Sequence, residues 1–130
     1  MQKLPFTTAN IDIVYEAFVS AAELVDQWQT QQGVWYSFLD QSETGVDTSA
    51  SAVIAAAFAW GAQLDILPNR YLRSAKSTYQ TLEEYLAPDG FLTQVSQINR
   101  GGEVLQENGY RVISQFGMGL MGQLKAALNA

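Results

Sequence analysis

Four carboxylates, Asp40, Asp47, Asp89 and Glu103, stand in polar stretches between the apolar runs of this chain, where a carboxylate can move a proton. A working pair needs one member held protonated by its surroundings and the other ionised. Three of the four have a simpler local role. Asp47 opens Asp47-Thr48-Ser49 ahead of an alanine-rich run, and its oxygens there can cap a helix by accepting from first-turn amides. Asp89 precedes Gly90 in Pro88-Asp89-Gly90, which is a turn sequence. Glu103 follows Gly101-Gly102 close to Arg100 and reads as half of a solvated ion pair. No residue is assigned a catalytic role on these grounds.

Binding chemistry is easier to place. Trp35 and Tyr36 offer aromatic faces that suit the apolar side of a pyranose ring. On neighbouring positions of a short arm, one of them belongs to the core and the other covers the mouth beside it. Asn99-Arg100-Gly101-Gly102-Glu103 is the most polar convergence in the chain, with a plain turn as its competing reading. The fork of Arg100 suits bidentate capture of a carboxylate. The candidate binding set is therefore Trp35, Tyr36, Asp47, Asn99 and Arg100.

Composition removes other chemistries. The 130 residues include no histidine and no cysteine, which excludes Ser–His and Cys–His nucleophiles, disulfides and thiolate metal sites, so neither metal nor cofactor is expected. Seven basic against thirteen acidic residues leave a formal charge of −6, which repels nucleic-acid phosphates and anionic lipid surfaces. The apolar run Val53–Trp60 is too short to span a bilayer, and no apolar stretch follows the basic residue of Met1-Gln2-Lys3-Leu4-Pro5. The expectation is a cytoplasmic protein with a single domain.

These residues must be positioned by helices. From about Asn10 to Thr30, Val14, Ala17, Phe18, Ala21, Val25 and Trp28 recur at three- and four-residue spacing, which predicts an amphipathic outer helix. Val34–Leu39 reads as an extended arm or half a small hairpin, and Asp40–Val46 as loop. The next helix, capped at Asp47-Thr48-Ser49 and running to about Leu64, is apolar or small around nearly its whole circumference and should be buried on all sides. A third, about Arg70 to Leu86, turns Leu72, Ala75, Tyr79, Leu82 and Leu86 inward. After a second extended arm, Phe91–Val95, a last inner helix spans about Ser114 to Leu128, and close backbone packing would explain its Gly117, Gly119 and Gly122. The order outer, inner, outer, inner makes an all-α fold of two helical-hairpin units, about 9–66 and 67–130. Both long connections leave the same end, with Pro68 and Asn69 at the other.

Asp47-Thr48-Ser49-Ala50-Ser51-Ala52, with Gly33-Val34-Trp35-Tyr36 and Leu39-Asp40 before it, resembles glycoside hydrolase families 88 and 105, the unsaturated glucuronyl and rhamnogalacturonyl hydrolases. The helix carrying Tyr71, Ala75 and Leu82, the Asp89-Gly90-Phe91-Leu92 turn and the glycine-rich last helix fit the C-terminal part of such an enzyme. The resemblance implies part of an (α/α)6 toroid and hydration of the double bond of a Δ4,5-unsaturated uronic acid. It also implies catalytic aspartates in earlier hairpins, for which this chain has no matching segment, and active-site histidines that a histidine-free chain lacks. Two functions follow as alternatives: the C-terminal part of such a hydrolase, inactive alone, or a non-catalytic helical module that binds or oligomerises. An arc of two hairpins leaves inner-helix flanks open, so a homo-oligomer through residues such as Phe58, Phe116 and Leu120 is expected.

Overall fold

The computed structural model describes residues 8–96, 103–107 and 109–130. Its elements follow in the order α1 (Thr8–Asp26), β1 (Tyr36–Phe38), β2 (Gln41–Val46), α2 (Thr48–Gln63), α3 (Arg70–Glu83), α4 (Glu103–Glu107) and α5 (Gln115–Leu128). The helix α2 is central. It packs against α3 on one side and α5 on another, and α3 also reaches α5. Phe18, Ala22 and Val25 of α1 lie over Ile54, Ala57 and Phe58, bringing the first helix against the same axis.

Small residues make this crowding feasible. Ala52, Ala55 and Ala59 are fully buried, so neighbouring backbones approach α2 without large side chains between them. Gly61 carries this furthest: a methyl group there would sit 2.7 Å from Leu67 Cδ1 and meet Phe18 as well. The larger core volume comes from the partners. Phe58 stands edge-on to Trp35 at 5.7 Å between ring centroids and to Tyr71 at 4.7 Å, and all three are buried. Burying side chains of this size stabilises by about 1.5–3 kcal/mol each.

Several expectations change. Burial of α2 is incomplete, because Val53 and Trp60, seven residues apart on one stripe, are more than two-fifths exposed. Gln123 and Ala126 of α5 border that stripe without burying it. Phe58 is in the core and is unavailable as an association surface, whereas Phe116 is 64% exposed. The first helix ends at Asp26, and its buried line is Ala22 flanked by Phe18, Val19 and Val25, while Val14 and Trp28 point to solvent. On α3 the buried line is Tyr71, Ala75, Thr78 and Leu82. Thr78 belongs there because its hydroxyl donates to the Gly33 carbonyl at 2.6 Å. The stretch read as loop holds β2, paired antiparallel with β1 through Tyr36↔Val46 and Phe38↔Gln41. The second arm forms only the isolated bridges Leu86↔Leu92 and Val95↔Val112, and the short helix α4 precedes the second of these returns. Among the described residues no helix is long and apolar enough to cross a membrane.

The three glycines of α5 also part company. A methyl group on Gly117 would lie 2.6 Å from Val95 Cγ2, so this glycine does serve close packing. Gly119 and Gly122 face open space. Gly61→Ala should therefore lower unfolding free energy by about 1–3 kcal/mol through overpacking against buried Leu67. Gly119→Ala should raise it by about 0.5–1 kcal/mol through helix propensity alone. Urea titrations of the two variants, compared with the parent, would reveal an opposite sign at either position.

Candidate functional site

Polar side chains at the start of α2 organise the end of the molecule where both long connections emerge. Asp47, with extended backbone at φ −107° and ψ 104°, is the N-cap, and its Oδ1 accepts from Ser49 N at 3.0 Å and Ala50 N at 3.2 Å. The same oxygen accepts from the Ser49 hydroxyl at 2.6 Å and from Ser96 N at 3.3 Å. Thr48 donates its hydroxyl to Thr93 O and its amide to Gln94 O. Ser51 donates to Asp47 O at 2.7 Å and accepts from Trp35 N at 3.0 Å. Asp47, Thr48 and Ser51 thus fasten the two long connections to one helix end.

The β1–β2 hairpin is locked from the opposite side by Arg111, which the sequence reading passed over. Its Nε donates to Val46 O at 2.9 Å, and its Nη2 reaches the carbonyls of Thr44 and Gly45 and the Ser37 hydroxyl. Burial pushes the Arg111 guanidinium below its ordinary value, and the nearby negative charge of Asp47 opposes that shift. The only advance signal was a lone arginine in the alternating Tyr110-Arg111-Val112-Ile113 run.

The structure brings Trp35, Tyr36 and Asp47 together. Asp47 N donates to Trp35 O at 3.0 Å, and Tyr36 pairs with Val46 across the hairpin. Trp35 is the core member of the aromatic pair: it is fully buried, with its indole N–H donating to Val25 O at 2.8 Å. Neither of its faces is open to a ligand. Tyr36 is half-buried and lines a surface groove. Asn99 and Arg100 lie outside the described residues, as do Gly101 and Gly102, and Glu103 begins α4. Pro68 and Asn69 line a separate hollow with Ala62 and Asp65 beyond the far end of α2. Asp89 accepts from Phe91 N in an exposed turn, and Asp40 is exposed on the rim. Among the described residues, no group of three or more His, Cys, Asp or Glu could hold a metal ion.

The family model described as Glycosyl Hydrolase Family 88 matches residues 1–128. No curated protein matches the chain. Among solved structures, a possible member of the GH105 family from Salmonella enterica subsp. enterica serovar Paratyphi A superposes with a TM-score of 0.77 at 18% identity, over 97% of this chain and 34% of that one. A second possible GH105 member, from Klebsiella pneumoniae subsp. pneumoniae, gives a TM-score of 0.73 at 20% identity, over 96% of this chain and 32% of its own. A family 105 glycoside hydrolase from C. acetobutylicum gives 0.73 at 22% identity, covering 96% and 39%. The chain thus spans about a third of the length of the structures it matches. Its helices form part of an (α/α)6 toroid.

The geometry makes Asp47 a structural cap. Asp47→Ala should cost about 1–2 kcal/mol of stability, and Asp47→Asn, which keeps an acceptor oxygen at the cap, only a fraction of that. Thermal unfolding of the two variants distinguishes them, and equal losses would remove capping as the reason for this residue.

Proposed function

The chain belongs to glycosyl hydrolase family 88, and on that premise we propose that it supplies the C-terminal wall of an unsaturated glucuronyl or rhamnogalacturonyl hydrolase and is inactive alone. The two outer/inner units, about 9–66 and 67–130, are arcs of that wall. One observation carries the inactivity: the buried carboxylate at the loop end, Asp47, directs its Oδ1 to four donors that hold the fold together. Asp89 and Asp40 are exposed, and neither lies in an enclosed space that would hold a general acid against a substrate. Hydration of a double bond needs such an acid in place.

In this reading a uronic-acid-containing saccharide meets the wall at the loop end. Tyr36 supplies an aromatic face there, and Asn99 with Arg100 supplies polar contacts to the carboxylate. Trp35 and Asp47 contribute by holding that end in shape. Incubating the 130-residue chain with unsaturated uronyl disaccharides and following the loss of ultraviolet absorbance of the double bond should show no turnover. Turnover abolished by Asp47→Asn in a protein that remains folded would overturn the reading.

A second reading, a non-catalytic module that self-associates, is favoured by the outer surface of α1. Ile13, Val14 and Leu24 there are each more than half exposed, and large apolar side chains left open along one helix invite association. Light scattering at high micromolar concentration should give a mass above one chain of 14.3 kDa, and Ile13→Glu should reduce it. A monomer under those conditions would remove this alternative.

A further inference from the structure

The connection between α1 and the hairpin carries four glutamines in six residues, Gln27-Trp28-Gln29-Thr30-Gln31-Gln32. Together with Tyr36, Leu39, Asp40 and Ser42 it lines an open groove of about 590 Å³. This volume lies within the range of small-molecule sites, about 300–1,000 Å³. The groove has a firm base. Gln29 donates to Gly33 O and Thr78 Oγ1 and accepts from the Ser74 hydroxyl, which pins the connection onto α3. Thr81 holds it again through Gln32 O, and Gly33, at φ +82°, takes the left-handed turn that ends it.

Above this base several polar groups have no partner among the described residues. Trp28 is 43% exposed, and neither its indole N–H nor the Tyr36 hydroxyl makes a hydrogen bond to any described residue. The same holds for the amides of Gln27, Gln31 and Gln32. An amide both donates and accepts, as a sugar hydroxyl does, and an aromatic face covers the C–H side of a pyranose. No lysine or arginine lines the groove, and its one charged group is the Asp40 carboxylate. An anionic ligand would meet repulsion there, whereas a hydroxyl can donate to Asp40.

We propose that this groove is a binding site for a neutral saccharide, stacked on Trp28 and hydrogen-bonded by Gln27, Gln31, Gln32 and Asp40. It needs no reaction and takes an uncharged sugar; Tyr36 at the groove's edge is the one residue it has in common with the hydrolase reading.

Titration of the full chain with cellobiose, maltose and lactose, followed by amide NMR shifts, tests the site. At least one of these sugars should move the amides of residues 27–32 and 36–42, with a dissociation constant on the order of millimolar. Trp28→Ala, at an exposed position, should keep the circular dichroism of the parent and weaken binding about tenfold or more, while Trp60→Ala leaves it unchanged. Galacturonate should bind more weakly than the neutral sugars. Absence of shifts with all three sugars, affinity unaffected by Trp28→Ala, or galacturonate bound as tightly would each overturn the proposal. Turnover of unsaturated uronides, or its absence, bears only on the hydrolase reading.

Discussion

The close approach of several elements to α2 is the constraint on which the rest of this structure depends. A helix packed by α3 and α5, with α1 lying over it as well, cannot carry large side chains on every face, so its buried positions are Thr48, Ser49, Ser51, Ala52, Ala55, Ala56, Ala59 and Gly61, with Phe58 as the exception. Phe58 is accommodated because Trp35 and Tyr71 both turn ring edges toward it. Those contacts tie the first connection and α3 to one point on the helix. Trp35 extends the tie to α1 through its indole hydrogen bond to Val25 O. Loss of volume at this junction would be felt by three elements at once, since interiors of this density relax only partly around a cavity.

The same helix governs the end where ligands could gather. Its first turn leaves amides without intrahelical partners, and Asp47 satisfies two of them while also taking the Ser96 amide. Thr48 and Ser51 extend the arrangement to Thr93 and Trp35. A carboxylate oxygen that takes four donors in this way is engaged in holding the helix end and its connections together. The residues that make the chain resemble a hydrolase family therefore maintain the shape of the loop end. On the function proposed above, the chemistry of such an enzyme lies in its other hairpins, while the outer rim here retains unengaged amide and aromatic groups.

Much of this was legible in the sequence where local rules act alone. Helical periodicity located α1, α2, α3 and α5, and the Asp-Thr-Ser cap marked the start of α2. The rotation of each helix about its axis was less legible. Val14 and Ala21 fit the apolar stripe of α1, yet both are exposed and Ala22 is the buried position. Thr78 reads as polar and outward until the Gly33 carbonyl is placed beside it. The strand β2, Gln41-Ser42-Glu43-Thr44-Gly45-Val46, has weak strand propensity and is held by pairing with β1 and by Arg111, a residue some 65 positions later. For the candidate site, the alternation of Trp35 and Tyr36 correctly divided core from surface, whereas Trp28 was assigned to the helix stripe and its groove was missed. That groove exists only because α1 stops at Asp26 and Gln29 pins the following chain to α3.

If α2 is the element on which the others depend, its amides should open only when the whole domain unfolds. Native-state hydrogen exchange resolves this residue by residue. The amides of Ala55 to Ala59 should exchange with a free energy equal to that of global unfolding from denaturant titration, while those of α1, whose outer face is open, exchange through smaller openings. Protection in α1 or α5 that persists while the centre of α2 exchanges faster would contradict the account.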